Sequence, residues 1–258
     1  MTASILNRLP TLLDDASPPK LIMVAGASGG IGYAFCQQVA MQYPDAKLIR
    51  LARSPKSLAK LSIETQDLAF DLADEKSIQS AIARLPEKVE VDWLFIATGW
   101  LHDDSHQPEK TYRTLNSEQM SHSFQLNTIG PTLLVKTLLE RVKLKHALKI
   151  GILTARVGSI SDNRLGGWHS YRASKAALNM LIKNFSIELE RMKKPVVIVG
   201  LQPGTTDTDL SAPFQRGVAP EDLQSPSYTA NQLLKVMQVI DESDSGSLYD
   251  FLGIAFEP

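Results

Sequence analysis

Leu21-Ile22-Met23-Val24-Ala25-Gly26-Ala27-Ser28-Gly29-Gly30-Ile31-Gly32 runs from a short apolar stretch straight into a glycine cluster, and an amphipathic stretch follows from Ile31 to Tyr43. An apolar run of that length bounded by glycine reads as a buried strand, and the stretch after it as a helix. Glycines at such a junction let the backbone turn sharply and approach a pyrophosphate, while the free N–H groups at the helix start present the positive end of a dipole. Dinucleotide binding is the natural use of this arrangement. A plain tight turn is the other use of the same glycines.

Outward from this junction, apolar runs keep alternating with amphipathic stretches, the pattern of repeated β-α units feeding a parallel sheet. The expected strands are Leu21 to Ala25, Lys47 to Ala52, Thr65 to Phe70, Asp92 to Ala97, Leu148 to Thr154, Val196 to Leu201 and Ser247 to Phe251. The expected helices are Ile31 to Tyr43, Glu75 to Arg84, Ser117 to Val142, Trp168 to Met192 and Tyr228 to Ile240, with a helical turn around Lys56 to Leu61. No repeat, low-complexity tract or Gly/Ser-rich linker interrupts the series, so residues 20–258 read as one domain behind an N-terminal arm, residues 1–19. In the arm Ile5, Leu6, Leu9, Leu12 and Leu13 recur at helical spacing. That face can dock on the body or on a neighbouring subunit, or the terminus can fray.

The balance of 27 basic against 28 acidic side chains among 258 residues argues against a nucleic-acid surface, because phosphate binding needs concentrated Lys and Arg. The basic run Arg141, Lys143, Lys145, His146 and Lys149 has a simpler use at the negative end of a long helix. A lone cysteine, Cys36, excludes an intrachain disulfide framework and a cysteine-based zinc site. No apolar run reaches the roughly 18 residues of a membrane span, and Met1 to Pro19 lacks the features of a targeting peptide. A cytoplasmic protein with no membrane partner is expected.

The spacing Gly-x-x-x-Gly-x-Gly of Gly26, Gly30 and Gly32, with Tyr171-Arg172-Ala173-Ser174-Lys175 downstream, resembles the short-chain dehydrogenase/reductase family. The resemblance covers Leu21 to Phe251 and implies a single-domain Rossmann-type α/β fold, a doubly wound parallel sheet of about seven strands with helices on both faces. It also implies a nicotinamide cofactor. Ser28 and Ile31 complete the phosphate loop. In the family an acidic residue ending the second strand holds the ribose of NAD, but here Leu51-Ala52-Arg53-Ser54 stands there. A 2'-phosphate can sit against the Arg53 guanidinium and the Ser54 hydroxyl, so NADP(H) is favoured over NAD(H). Asp71-Leu72 matches the adenine-contacting pair. Ala97-Thr98-Gly99 replaces the family's Asn-Ala-Gly, and Pro203-Gly204-Thr205-Thr206-Asp207-Thr208 resembles its loop over nicotinamide and pyrophosphate, with Thr206 and Thr208 as hydroxyl donors.

Tyr171 and Lys175 lie four residues apart, on one face of a helix. A nearby ammonium favours phenolate, so the Tyr171 pKa is expected to fall from about 10 towards neutrality, suiting it to exchange a proton with a substrate oxygen. Pro131 lacks the N–H that the Asn127 carbonyl would accept, so a kink is expected there. The resemblance implies that this carbonyl holds a water of a proton relay through Lys175. It also calls for a serine after the fifth strand, and in Leu153-Thr154-Ala155-Arg156-Val157-Gly158-Ser159 that place is Ala155. Ser159 or Thr154 must then supply the hydroxyl; Ser159 is preferred because its loop should face the pocket.

Arg156 to Asn163, Gly166-Gly167-Trp168 and the segment around Tyr171 resemble the branch containing the myxobacterial C-factor and the insect carbonyl reductase sniffer. The expected function is NADPH-dependent reduction of an aldehyde or ketone to an alcohol, with Tyr171 as proton donor and Lys175, Asn127 and Ser159 in support. A signalling protein of C-factor type with little catalysis, and an NAD-linked alcohol dehydrogenase, are the alternatives. Trp100, Leu101, Trp168, His169, Leu210 and Phe214 are the substrate-side candidates, and Arg156 and Arg164 could meet an acidic group. His102-Asp103-Asp104-Ser105-His106 reads as a solvated loop with no metal. Family members commonly pair through the two long helices, so a homo-oligomer is expected.

Overall fold

The computed structural model describes residues 3–9 and 17–258. Seven parallel strands form one sheet: β1 (Leu21–Ala25), β2 (Lys47–Ala52), β3 (Thr65–Ala69), β4 (Trp93–Ile96), β5 (Leu148–Leu153), β6 (Val196–Gln202) and, at the far edge, Leu248–Asp250. A two-residue ladder, Thr205–Thr206 against Leu223–Gln224, stands outside it. The helices are α1 (Gly30–Gln42), α2 (Glu75–Ala83), α3 (Ser117–Phe124), α4 (Gly130–Arg141), α5 (His169–Arg191) and α6 (Pro226–Val239). The turn expected near Lys56 is the short helical turn Pro55–Ser57.

Side chains alternate across each strand, so successive residues feed different layers. Ile22 and Val24 join Phe35, Val39, Leu233 and Met237 in one core, whereas Met23 and Ala25 join Ile82, Leu134, Leu138 and Ile182 in the other. With both faces covered, the strands read as continuous apolar runs.

The order runs β3-β2-β1-β4-β5-β6 and ends on Leu248–Asp250, so the chain winds outward one way from β1 and then the other way from β4. At that reversal the carboxyl ends of β1 and β4 leave a crevice, the place where such sheets bind ligands.

The stretch Ser117 to Val142 is not one helix. A π-helical turn, Gln125–Ile129, separates α3 from α4, and the Gly130 N–H reaches back to the Gln125 carbonyl. The extra residue in that turn absorbs the place where Pro131 has no N–H to give the Asn127 carbonyl.

The described start of the arm, residues 3–9, docks on its own body. Ile5–Arg8 forms a short helical turn, the Ile5 N–H donates to Gly253 O at 2.9 Å, and Arg8 pairs with the buried carboxylate of Asp244 at 2.8 Å. Leu12 and Leu13 lie outside the described residues. Most of the basic run serves neighbouring elements: Arg141 donates to carbonyls at the end of α2 and just beyond it, Lys145 and His146 pair with Glu90 and Asp92, and Lys149 donates to Gln238 O at 2.7 Å. No helix among the described residues is long and apolar enough to cross a membrane.

Candidate active site

The loop after β1 is built for close backbone approach. Gly26 has φ 81°, in the left-handed region open to glycine, and a Cβ on Gly32 would lie 2.2 Å from the Gly26 carbonyl oxygen. One cleft beside this loop is lined by Gly26, Ser28, Arg53, Asp71, Leu72 and Ala97 to Trp100. Ser54 is exposed and outside that lining. Within the cleft wall, the Thr98 hydroxyl is buried and has no hydrogen-bond partner among the described residues. An orphaned donor and a glycine cradle that a Cβ would fill both fit a dinucleotide.

A second cavity, of about 250 Å³, opens on the other side of the loop. Ile31, Leu101, Thr154, Ala155, Arg156, Trp168, Tyr171, Leu210 and Phe214 line it, with Pro203 to Thr206 and Thr208. The loop after β6 reaches back to the glycines, since a Cβ on Gly30 would lie 2.6 Å from the Thr208 methyl. Thr206 Oγ1 pairs with Thr229 Oγ1 at 2.9 Å, and Thr208 Oγ1 donates to Thr206 O at 3.4 Å. Ring contacts of Phe214 with Trp168 at 5.0 Å and with His102 at 5.4 Å pin the loop, and His102 Nε2 lies 3.1 Å from Leu210 O. Of the other substrate-side candidates, Trp100 lines the first cleft and His169 neither. His106 pairs with Asp103 at 2.9 Å.

Tyr171 and Lys175 sit on α5 as expected, with the Lys175 Nζ 5.8 Å from the phenol ring centre. Lys175 is 2% exposed and donates to Leu153 O at 2.9 Å. The expected direction of the Tyr171 shift does not hold. Burial pushes the phenol up to about 12 and the Lys175 ammonium down to about 8. Burial among packed segments penalises both charges, and the spacing between ring and ammonium does not offset it.

Asn127 is fully buried, and its side chain ties segments together: Oδ1 accepts from the Trp100 N–H at 2.7 Å, while Nδ2 donates to Trp100 O at 2.8 Å and to Ser174 Oγ at 3.1 Å. The side chain thereby holds the strand-end loop against α5.

Ser159 is not at the cavity. It is buried, absent from the lining, and its Oγ accepts from the Asp162 N–H at 3.2 Å, which closes its own turn. Thr154 is in the lining, where its Oγ1 donates to Asn179 Oδ1 at 2.5 Å and the Asn179 Nδ2 has no partner among the described residues. Arg164 is exposed and donates to Ser161 O, away from the cavity.

Two site residues escaped sequence reading. Glu109 is 3% exposed and accepts from both the hydroxyl and the N–H of Ser170, the latter at 3.2 Å. A carboxylate 61 residues before its partner leaves no local spacing to read. Asn179 lies two turns beyond Tyr171 on the same helix face, a spacing that would have found it.

A family model described as short chain dehydrogenase matches residues 20–218. The chain belongs to the short-chain dehydrogenase family. Among similar proteins of this family, 1-hydroxy-2-glutathionyl-2-methyl-3-butene dehydrogenase of Rhodococcus sp. (strain AD45) is 31% identical over 87% of this chain and 93% of its own. C-signal of Myxococcus xanthus is 30% identical over 52% of this chain and 75% of its own. An NADPH-bound carbonyl reductase from chicken fatty liver shares the fold at a TM-score of 0.80, with 24% identity over 93% of this chain and 99% of its own. The carbonyl reductase Sniffer of D. melanogaster follows at 0.76, with 20% identity and the same coverage. The short-chain dehydrogenase fold, an oxidoreductase class and the likeness to the C-factor and sniffer branch therefore stand.

Proposed function

We propose that this short-chain dehydrogenase reduces a small carbonyl compound with NADPH. The observation that carries the reading is Tyr171, a phenol held protonated by burial, in an apolar cavity beside the glycine loop. The cofactor supplies the hydride. Gly26, Ser28, Gly30, Ile31 and Gly32 would hold its pyrophosphate, Asp71 and Leu72 its adenine, and Ala97, Thr98 and Gly99 its central part, with Pro203, Gly204, Thr206 and Thr208 closing over it. Arg53 would meet the 2'-phosphate from the cleft wall, with uncharged Ala52 before it. NADPH and NADP bound to structural neighbours support this preference.

As the substrate oxygen gains charge, Tyr171 gives it a proton, and the Lys175 ammonium stabilises the phenolate left behind. Thr154 takes the place of the missing serine. With the Asn179 amide turned over, its Nδ2 donates to Thr154 Oγ1 and frees the hydroxyl proton for the carbonyl oxygen. Asn127 keeps the pocket walls in register and lends its backbone carbonyl to proton delivery.

The test is NADPH against NADH oxidation over aldehydes, ketones and quinones, with Tyr171→Phe as control. Turnover that prefers NADPH and vanishes in the control supports the reading; turnover retained by Tyr171→Phe overturns it.

Ala155 favours a second reading, a nucleotide-sensing regulator, because loss of one oxyanion donor costs on the order of 100- to 1000-fold in rate. It predicts partner binding that depends on NADPH and survives Tyr171→Phe. Pairing of two copies through the long helices is also proposed, supported by Ile129, Met180 and Ile187, which are 42%, 61% and 45% exposed. Light scattering in solution reads it.

A further inference from the structure

We infer that the substrate carries a carboxylate, and that Arg156 is the residue that selects it. This rests on the reductase reading above and goes on to the chemical class of its substrate.

Among the residues lining the Tyr171 cavity, Arg156 is the only permanently charged one; the others are apolar, neutral hydroxyls, one amide and the Tyr171 phenol. It stands one residue beyond Ala155, at the start of the turn Arg156–Gly158 that follows β5. Arg156 is in the lining and its side chain is half-exposed, so a molecule whose carbonyl meets Tyr171 and whose acidic group projects towards solvent can meet the guanidinium there.

That guanidinium is not committed to the protein. Its Nε lies 3.9 Å from Asp162 Oδ2, with the two side chains 51% and 61% exposed. At that distance and exposure the ion pair is weak and screened. The guanidinium makes no hydrogen bond to another described residue, so its five N–H donors remain to be used.

It is also propped rather than loose. The guanidinium carbon lies 5.6 Å from the centre of the Phe256 ring, and the Phe256 N–H is fixed to Leu248 O at 3.1 Å. Contact with an aromatic ring restrains the cation while leaving its N–H edges open. A planar fork held in this way matches a carboxylate through two parallel hydrogen bonds. Trp168 and Phe214, 5.0 Å apart, supply an apolar wall for the body of the molecule between the two polar ends.

The experiment compares 3- and 4-carboxybenzaldehyde with their methyl esters, using NADPH and the full chain. The acids are expected to exceed the esters by about tenfold in kcat/KM, mostly through KM, because the contact is the same in ground and transition states. The advantage should shrink as salt rises. Arg156→Met should lower kcat/KM for the acids far more than for the esters, and Arg156→Glu should move the preference to 4-(trimethylammonio)benzaldehyde. Equal rates for acid and ester, or an acid preference that survives Arg156→Met, overturns the inference.

If no aldehyde is reduced, the reductase reading fails, and the Arg156 inference is then read by calorimetric titration of the same acids and esters. Acid binding lost in Arg156→Met upholds it. Equal binding of acid and ester, or binding of neither, overturns it.

Discussion

Glu109, in the loop after β4, accepts the hydroxyl and the N–H of Ser170, the residue directly before Tyr171. The first turn of α5 is therefore capped by a carboxylate from a distant segment, favoured there by the positive end of the helix. The same segment receives the Trp168 N–H at 2.5 Å on the Glu109 carbonyl, where Trp168 stands at φ 48°, a left-handed conformation rare for a bulky side chain. Glu109 thus positions both the phenol and the aromatic wall. Glu109→Ala should lower stability by about 1–2 kcal/mol and reduce kcat more than it raises KM. Partial recovery in Glu109→Gln, read by steady-state kinetics, separates positioning from general damage.

Burial pushes the Lys175 ammonium down from its usual 10.5 to about 8. Below about 8 it is charged in both folded and unfolded chains, and the fold carries a cost of roughly 3 kcal/mol at 1.4 kcal/mol per unit. Between 8 and 10.5 the unfolded chain binds more protons, so stability rises with pH. Lys175→Met should be more stable than the natural protein at pH 7, and that gap should narrow from pH 8 to 10.5 in denaturant titrations. Reduction should also weaken as pH rises through about 8, as the cation opposite the phenolate is lost.

Gly32→Ala would drive a Cβ to 2.2 Å from a backbone oxygen that cannot yield. The substitution should cost about 1–3 kcal/mol and weaken NADPH binding in titrations. Gly217 has nothing within 4 Å of its would-be Cβ, so Gly217→Ala should stay within about 0.5 kcal/mol.

Arg53→Ala should raise the Kd for NADPH by about 10- to 100-fold and leave that for NADH nearly unchanged, since only the phosphate contact is removed. Equal loss for both cofactors would assign Arg53 to the fold rather than to the 2'-phosphate.

Arg50 is 2% exposed and holds Asp67 through two bonds of 2.7 and 2.6 Å, while donating to Ala59 O at 2.6 Å. This pair, with the guanidinium buried and the Asp67 carboxylate partly open to solvent, orders the segment that follows Arg53. Asp67→Ala strands the charge and should cost about 3 kcal/mol in denaturant unfolding, whereas removing both charges in Arg50→Met with Asp67→Leu should recover much of it.

The strands from Leu21 and Lys47 were legible to the residue, because strand burial and the glycine punctuation after Ala25 are local properties of the chain. The long helix from Ser117 was legible as a helix with a fault at Pro131, but the form of that fault was not. The missing N–H is written in the sequence, while the π-helical turn reflects how neighbouring residues pack around it. Tyr171 and Lys175 were legible for the same local reason, one helical turn apart.

What the chain by itself determined is the order of its elements, the glycine loop, the phenol–ammonium pair and the absence of a serine at residue 155. These follow from short-range spacing and backbone chemistry. Only the tertiary structure decided that Thr154 rather than Ser159 lines the cavity, that Glu109 caps α5, and that burial raises the Tyr171 pKa against the neighbouring cation. It likewise brought Phe256, 100 residues along the chain, beneath Arg156. Each of these depends on which distant segments exclude water from one another, a property no window of sequence contains.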